Sequence, residues 1–197
     1  MVAAARVDQA PAQLGPRRHH GEHREVLFVN IWVQKSRLVL KGGRRGWHCN
    51  DYLDGVGEQA GKPYPSGGRN STKSPQSMAC IRHIQPGDLV WLYQVDDDSI
   101  HAVTQADSCG MEADKGSRQY NLFYLKPAAT AFRFVPPLTL TQLRSAGCEP
   151  ECFAPGMNGR IFPLLNDEFV GVIQAITSVI PEQGKQLLAW MRQHMAG

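Results

Sequence analysis

The side chains best equipped for chemistry in this 197-residue chain are aromatic and basic groups crowded into one glycine-rich stretch. Trp47 stands between Gly46 and His48, just after Lys41, Arg44 and Arg45. An indole carried by a basic loop offers a π-face on which a nucleic-acid base can stack, worth about 1–3 kcal/mol per base, while the cations neutralise phosphates. The same ring could instead pin the loop to the core. Arg44, Arg45, Arg69 and Lys73 are the candidate phosphate contacts, which would supply affinity without sequence preference. Arg160, directly before Ile161-Phe162-Pro163, carries a planar fork of donors suited to a phosphate or a base edge, or to an ordinary ion pair.

Catalysis has weaker support. The chain contains no G-x-S-x-G, H-E-x-x-H, Walker loop or G-x-G-x-x-G. His48 with Asp51 and Asp88 could form an acid–base pair assembled from distant positions. His19, His20 and His23 crowd together in a polar segment, yet zinc needs ligands held at fixed geometry with supporting partners. Cys49, Cys80, Cys109, Cys148 and Cys152 form no C-x-x-C pair and are odd in number, which argues against a disulfide framework and a zinc ribbon. Free thiols, no metal site and no cofactor are expected.

Composition sets the frame for these groups. A hydrophobic content of 42% with 20% charged residues is that of a globular chain, and 197 residues suit one domain. No apolar run approaches the roughly 20 residues that span a bilayer, and a soluble, cytoplasmic protein is expected. The formal net charge of +3 is small, but its distribution is uneven. Residues 26–83 carry nine Lys or Arg against three acids, and residues 84–127 carry three against seven. That asymmetry fits either a nucleic-acid footprint or a solvated surface.

The elements that must position the candidates follow from apolar patterning. Residues 1–24 have no apolar periodicity and are expected to be a disordered tail, so the domain is placed at 25–197. Val26 to Val33 reads as a buried strand. Residues 41–75, with eight glycines and three prolines, read as one long functional loop, followed by a short helix near Gln76–His83. Leu89–Gln94 and Ile100–Gln105 flank the acidic turn Asp96-Asp97-Asp98 as a hairpin. Alternation puts Trp91 and Tyr93 on one face with Leu89; these two rings and Trp32 could line a pocket or fill the core. Tyr120–Lys126 and Ala131–Val135 supply further strands, the second stopped by Pro136-Pro137. Thr139 caps a short helix that ends at Gly147, and Gly159–Pro163 forms an edge strand. Asn166 caps a helix with Phe169, Val170, Ile173 and Ile176 inward, and Pro181 starts another with Leu187, Leu188, Trp190 and Met191.

In this order, several pieces resemble the EVE domain of the PUA-like superfamily, over roughly residues 26–176. They are Ile31-Trp32-Val33, Gly46-Trp47-His48 with Asp51-Tyr52, Ser74 to Ile81, and Ile84 through Pro86-Gly87-Asp88 to Gln94. Ile100 to Val103, Pro137-Leu138-Thr139-Leu140 and Gly159 to Pro163 complete the set. The resemblance implies an α+β fold, a PUA-like mixed β-barrel of about five to six strands with short flanking helices. It also implies, by kinship with YTH and SRA-type readers, a non-catalytic module that binds DNA or RNA. Such a module would hold a modified base, for example a modified cytosine, in an aromatic-lined pocket. Trp32, Trp47, His48, Trp91, Tyr93 and Arg160 would then contact the base. A small-molecule or protein-binding barrel is the alternative, supported by the acidic 84–127 segment, and an enzyme using the His/Asp pair is the third. Pro63-Tyr64-Pro65-Ser66-Gly67-Gly68 and the acidic hairpin tip depart from the family pattern.

Overall fold

The computed structural model describes residues 29–38, 42–43, 46–55, 64–69, 80–111, 120–154 and 161–195, at 64–69 and 120–121 as backbone only. The 1–24 segment, Arg44, Arg45, Lys73 and Arg160 lie outside the described residues. Strands β1 (Ile31–Ser36), β3 (Leu89–Gln94), β4 (Ser99–Gln105), β6 (Phe132–Thr139) and β7 (Ile161–Pro163) form one sheet in the order β6-β4-β3-β1-β7. Strands β2 (Tyr64–Arg69) and β5 (Tyr120–Leu125) form a separate antiparallel pair. Helix α1 is Cys49–Leu53, α2 is Leu140–Ser145, α3 is Asn166–Val179 and α4 is Pro181–Met195.

The sheet is mixed because β1 runs parallel to β3, Ile31 opposite Leu89 through Ser36 opposite Gln94, while the remaining pairs are antiparallel. Parallel neighbours need a long crossover, and residues 37–88 supply it. The fold is the expected α+β one, and among the described residues the sheet is not closed: β6 and β7 are its edges, where a mixed β-barrel was expected. Bridges Ala106–Leu125 and Met111–Leu122 hang the β2–β5 pair from the end of β4.

Apolar side chains divide between the two faces. Leu89, Trp91 and Tyr93 of β3 join Ile31, Val33, Ile100 and Val103 beneath α3 and α4, which contribute Val172, Ile176, Leu187 and Met191. Trp32, Val90, Leu92 and Ala102 point the other way, toward Tyr52 and Leu53 of α1 and Phe123 and Leu125 of β5. The helix pair packs closely because Gly184 has no side chain: a Cβ there would stand 2.9 Å from Thr177 Cα.

Several sequence expectations are corrected. Among the described residues the first strand begins at Ile31, not at Val29, and runs past Val33 to Ser36, because pairing with all six residues of β3 carries it through the polar Gln34, Lys35 and Ser36. The 41–75 stretch contains α1 and β2. Helix α1 begins at His48, a residue type not favoured as a cap, and β2 includes Pro65, which a two-stranded pair tolerates at its open edge. Within the described residues the helix near Gln76–His83 is a single 3-10 turn, Ile81–His83. Strand β6 runs through Pro136-Pro137 because the ladder is interrupted there: Ile100 pairs Leu138 and Ala102 pairs Arg133, leaving residues 134–137 bulged opposite His101 alone. On α3 the buried residues are Val172, Ala175 and Ile176, while Val170 faces out at 53% exposure. Its N-cap is Leu165, not Asn166; Glu168 reaches back to accept the Leu165 N–H at 3.1 Å.

Candidate functional site

On the face away from the long helices, the apolar lining gives way to polar groups at the C-terminal ends of β1 and β3. Gln34, Ser36 and Gln94 lie on this face of β1 and β3, and all three are buried. The Gln94 carboxamide joins three elements. Its Oε1 accepts the Cys49 N–H at 3.1 Å, and its Nε2 donates to Asp96 Oδ2 in the hairpin turn. Asp96 Oδ2 also accepts the Leu38 N–H at 2.6 Å, so the chain leaving β1 and the start of α1 are tied to the acidic tip.

Trp47 and His48 enter this region together. The Trp47 N–H donates to Arg37 O at 3.0 Å, and the half-buried indole packs on the rim of the second apolar cluster. His48 is the N-cap of α1: its Nδ1 accepts the Asn50 N–H at 3.0 Å, while Asp51 reaches back to accept the His48 N–H at 3.1 Å. Helix α1 is further fixed by Tyr52, whose hydroxyl donates to Lys126 O at 2.7 Å and lies 2.9 Å from Thr104 Oγ1. Burial pushes the Tyr52 phenol up to about 12 and the Cys49 thiol up to about 12, so both are neutral and structural.

Beside His48 lies a group the sequence reading missed. His101 is the bulged residue of β4, since Leu92 pairs Ala102 while Tyr93 pairs Ile100. The bulge turns its ring into the same buried layer, edge-on to His48 with centroids 5.2 Å apart. Its Nε2 lies 2.8 Å from Asp97 Oδ2 and 3.1 Å from Ser99 Oγ, and that hydroxyl donates to Asp97 Oδ1 at 2.6 Å. The only local signal was a His between the apolar Ile100 and Ala102, three residues past the acidic turn.

Ser99, His101 and Asp97 have the residue types of a hydrolytic triad but not its geometry. A triad needs the serine and the carboxylate on opposite ring nitrogens, whereas both meet Nε2 here. Of the expected His48, Asp51 and Asp88 acid–base group, Asp51 stays beside His48 as its capping partner, whereas Asp88 is not brought to it. His48 adjoins the C-terminal end of β3 and Asp88 precedes its N-terminal end, about 20 Å away at 3.3 Å per residue.

Asp88 is instead a structural hub. It accepts Trp32 Nε1 at 2.7 Å, the Gln85 N–H at 2.9 Å and the Asn30 N–H at 3.1 Å, joining the starts of β1 and β3. Trp32 is thereby held in the second apolar cluster. Trp91 is fully buried against Phe134 and Phe169, and Tyr93 packs edge-on to Phe153 with its hydroxyl donating to Asp98 Oδ1 at 2.5 Å. Rings buried in this way present no free surface to a base. Arg69 ends β2 opposite Tyr120. A cleft of about 490 Å³ lies elsewhere, between α3 and the Ala146–Pro150 segment, and contains none of the sequence-selected residues.

No family model matches the chain, and no curated protein sequence matches it. Its fold does match solved structures. The human THYN1 protein in complex with 5-methylcytosine-containing DNA superposes with TM-score 0.53 at 15% identity, over 73% of this chain and 95% of that one. The DUF55 domain of human thymocyte nuclear protein 1 gives 0.54 at 16%, over 73% and 96%, and a protein from Agrobacterium tumefaciens gives 0.51 at 14%, over 73% and 90%. The chain therefore has the α+β fold of these solved structures, the DUF55 domain among them. At these identities the likeness is one of fold.

Proposed function

We propose that this chain is a non-catalytic nucleic-acid-binding module that holds a modified base, for example a modified cytosine, against Trp47. The carrying observation is the shared fold with human THYN1, whose structure contains 5-methylcytosine DNA and almost all of whose chain is covered. Locally, Trp47 is the one sequence-selected indole that the core leaves half-buried, beside the half-buried His48, a polar group able to meet a base edge. Arg44, Arg45, Arg69, Lys73 and Arg160 are the phosphate and base-edge contacts in this reading. Absence of triad geometry at Ser99, His101 and Asp97, and the separation of His48 from Asp88, favour binding over turnover.

The test is a binding panel of unmodified, methylated and hydroxymethylated cytosine oligonucleotides, single and double stranded, at two salt concentrations. Tighter binding of a modified form is expected. Trp47→Ala should weaken that form by about 1–3 kcal/mol. Arg44→Ala should weaken all forms alike and make the salt slope shallower by about one unit. No preference in the panel, together with a Trp47→Ala protein that binds as before, would remove base recognition.

A further inference from the structure

We infer that His48, Asp97 and His101 form a binding site for one divalent transition-metal ion of the zinc class, a site where the sequence alone offers no metal signature. One ligand atom from each residue lies within 4.8 Å of the other two. Four-coordinate zinc holds its ligands at about 2.0–2.2 Å, which puts neighbouring donor atoms about 3.3 Å apart, so rotation of these side chains closes the site. Two imidazoles and a carboxylate are a borderline donor set that suits this class of ion.

The three donors come from three elements, the N-cap of α1, the hairpin turn and the β4 bulge, and each is aimed by its surroundings. Of the three tip carboxylates, Asp96 is taken by Leu38 N–H and Gln94, and Asp98 by Tyr93 and Arg144. Asp97 alone turns to the histidines. The Ser99 hydroxyl donates to Asp97 Oδ1, leaving Oδ2 toward His101, as a supporting residue does for a metal-bound carboxylate. The His101 side chain is 7% exposed and that of Asp97 45%, so solvent can complete the coordination sphere.

Metal and helix cap compete for one imidazole. A neutral His48 that ligates through one nitrogen carries its proton on the other, so the lone pair now accepting the Asn50 N–H is lost on binding. Metal entry should therefore loosen the start of α1 directly beside Trp47. The inference does not depend on base recognition.

Titration of the full chain with Zn²⁺ against a chromophoric chelator, and with Co²⁺ followed in the visible, tests this. One equivalent and the intense bands of four-coordinate Co²⁺ are expected. His48→Ser keeps a good N-cap and removes the ligand, and it should weaken Zn²⁺ binding at least about 100-fold, since loss of a mere supporting residue costs 10–100-fold. His101→Ala and Asp97→Asn should weaken it similarly. Replacing His19, His20 and His23 together should leave the equivalent in place. Binding that survives both His48→Ser and His101→Ala, that vanishes with the tail histidines, or that shows only the weak spectrum of hydrated Co²⁺ overturns the assignment.

Discussion

Strand β3 gives Leu89, Trp91 and Tyr93 to one side of the sheet and Val90, Leu92 and Gln94 to the other, so the same six residues build two different interiors. Beneath α3 and α4 the interior is aromatic and aliphatic along the whole strand, with Phe132, Phe134, Phe153 and Phe169 filling the spaces between. On the opposite side it is apolar only near the middle of the strand. Asp88 organises hydrogen bonds at one end, and Gln94, His48 and His101 organise them at the other. The first face supplies stability by area; the second spends part of its area on oriented polar groups, which is where recognition chemistry can be placed.

Truncation on the helix side should be the most damaging change. Trp91→Ala removes a ring with no exposed surface and leaves a void between Phe134 and Phe169, and about 3–5 kcal/mol of stability should be lost in urea unfolding. A loss below about 1 kcal/mol would mean that this face is loosely packed.

Asp88→Ala should rank next. It strands the buried Trp32 Nε1–H and the backbone N–H groups of Asn30 and Gln85, at about 3 kcal/mol. Asp88→Asn retains one acceptor oxygen and should recover part of that, whereas equal losses would assign the effect to charge and not to the missing acceptors. Tyr52→Phe is smaller, about 1–2 kcal/mol, because only one hydroxyl and its bonds to Thr104 and Lys126 are removed. A neutral result there would show that α1 is held by its ring alone.

The first face was legible in the sequence and much of the second was not. The alternation in Leu89–Gln94, the hairpin, the Thr139 cap and the Pro181 helix start are local signals, and each appears where the sequence places it. Which face of β3 meets helices and which meets the loop is a long-range matter. The sequence therefore left Trp91 and Tyr93 open between core and pocket, and the packing of α3 and α4 puts them in the core. His101 escaped notice because its direction depends on a bulge, and a bulge is set by pairing with β6 around Pro136-Pro137. Helix α1 escaped because its cap is a histidine. At the candidate site, Trp47 and His48 were found as a pair, while Gln94 and Asp97, which organise the surroundings, look like ordinary strand and turn residues in sequence.

The smallest expected effect compares one buried thiol from each face. Cys49 lies with the second cluster and Cys152 with the first, and burial pushes both thiols up from 9.0 to about 12. The folded state thus keeps its protons after the unfolded chain has begun to release them. Stability from this source is complete below about pH 9 and falls as the pH rises from there toward about 12. At pH 10, one unit above the ordinary thiol value, each thiol should account for about 1.4 kcal/mol of lost stability, since one pH unit corresponds to about 1.4 kcal/mol. Comparing urea midpoints at pH 8 and pH 10 for the wild type, Cys49→Ala and Cys152→Ala measures both. Each variant should show a shallower fall than the wild type, by the same amount, because burial is the leading cause in both. A variant whose fall matches the wild type's would show that its thiol meets solvent in the folded state. If only Cys49→Ala did so, the polar end of the second face would be open to water beside Gln94 and His48, as a binding site there requires.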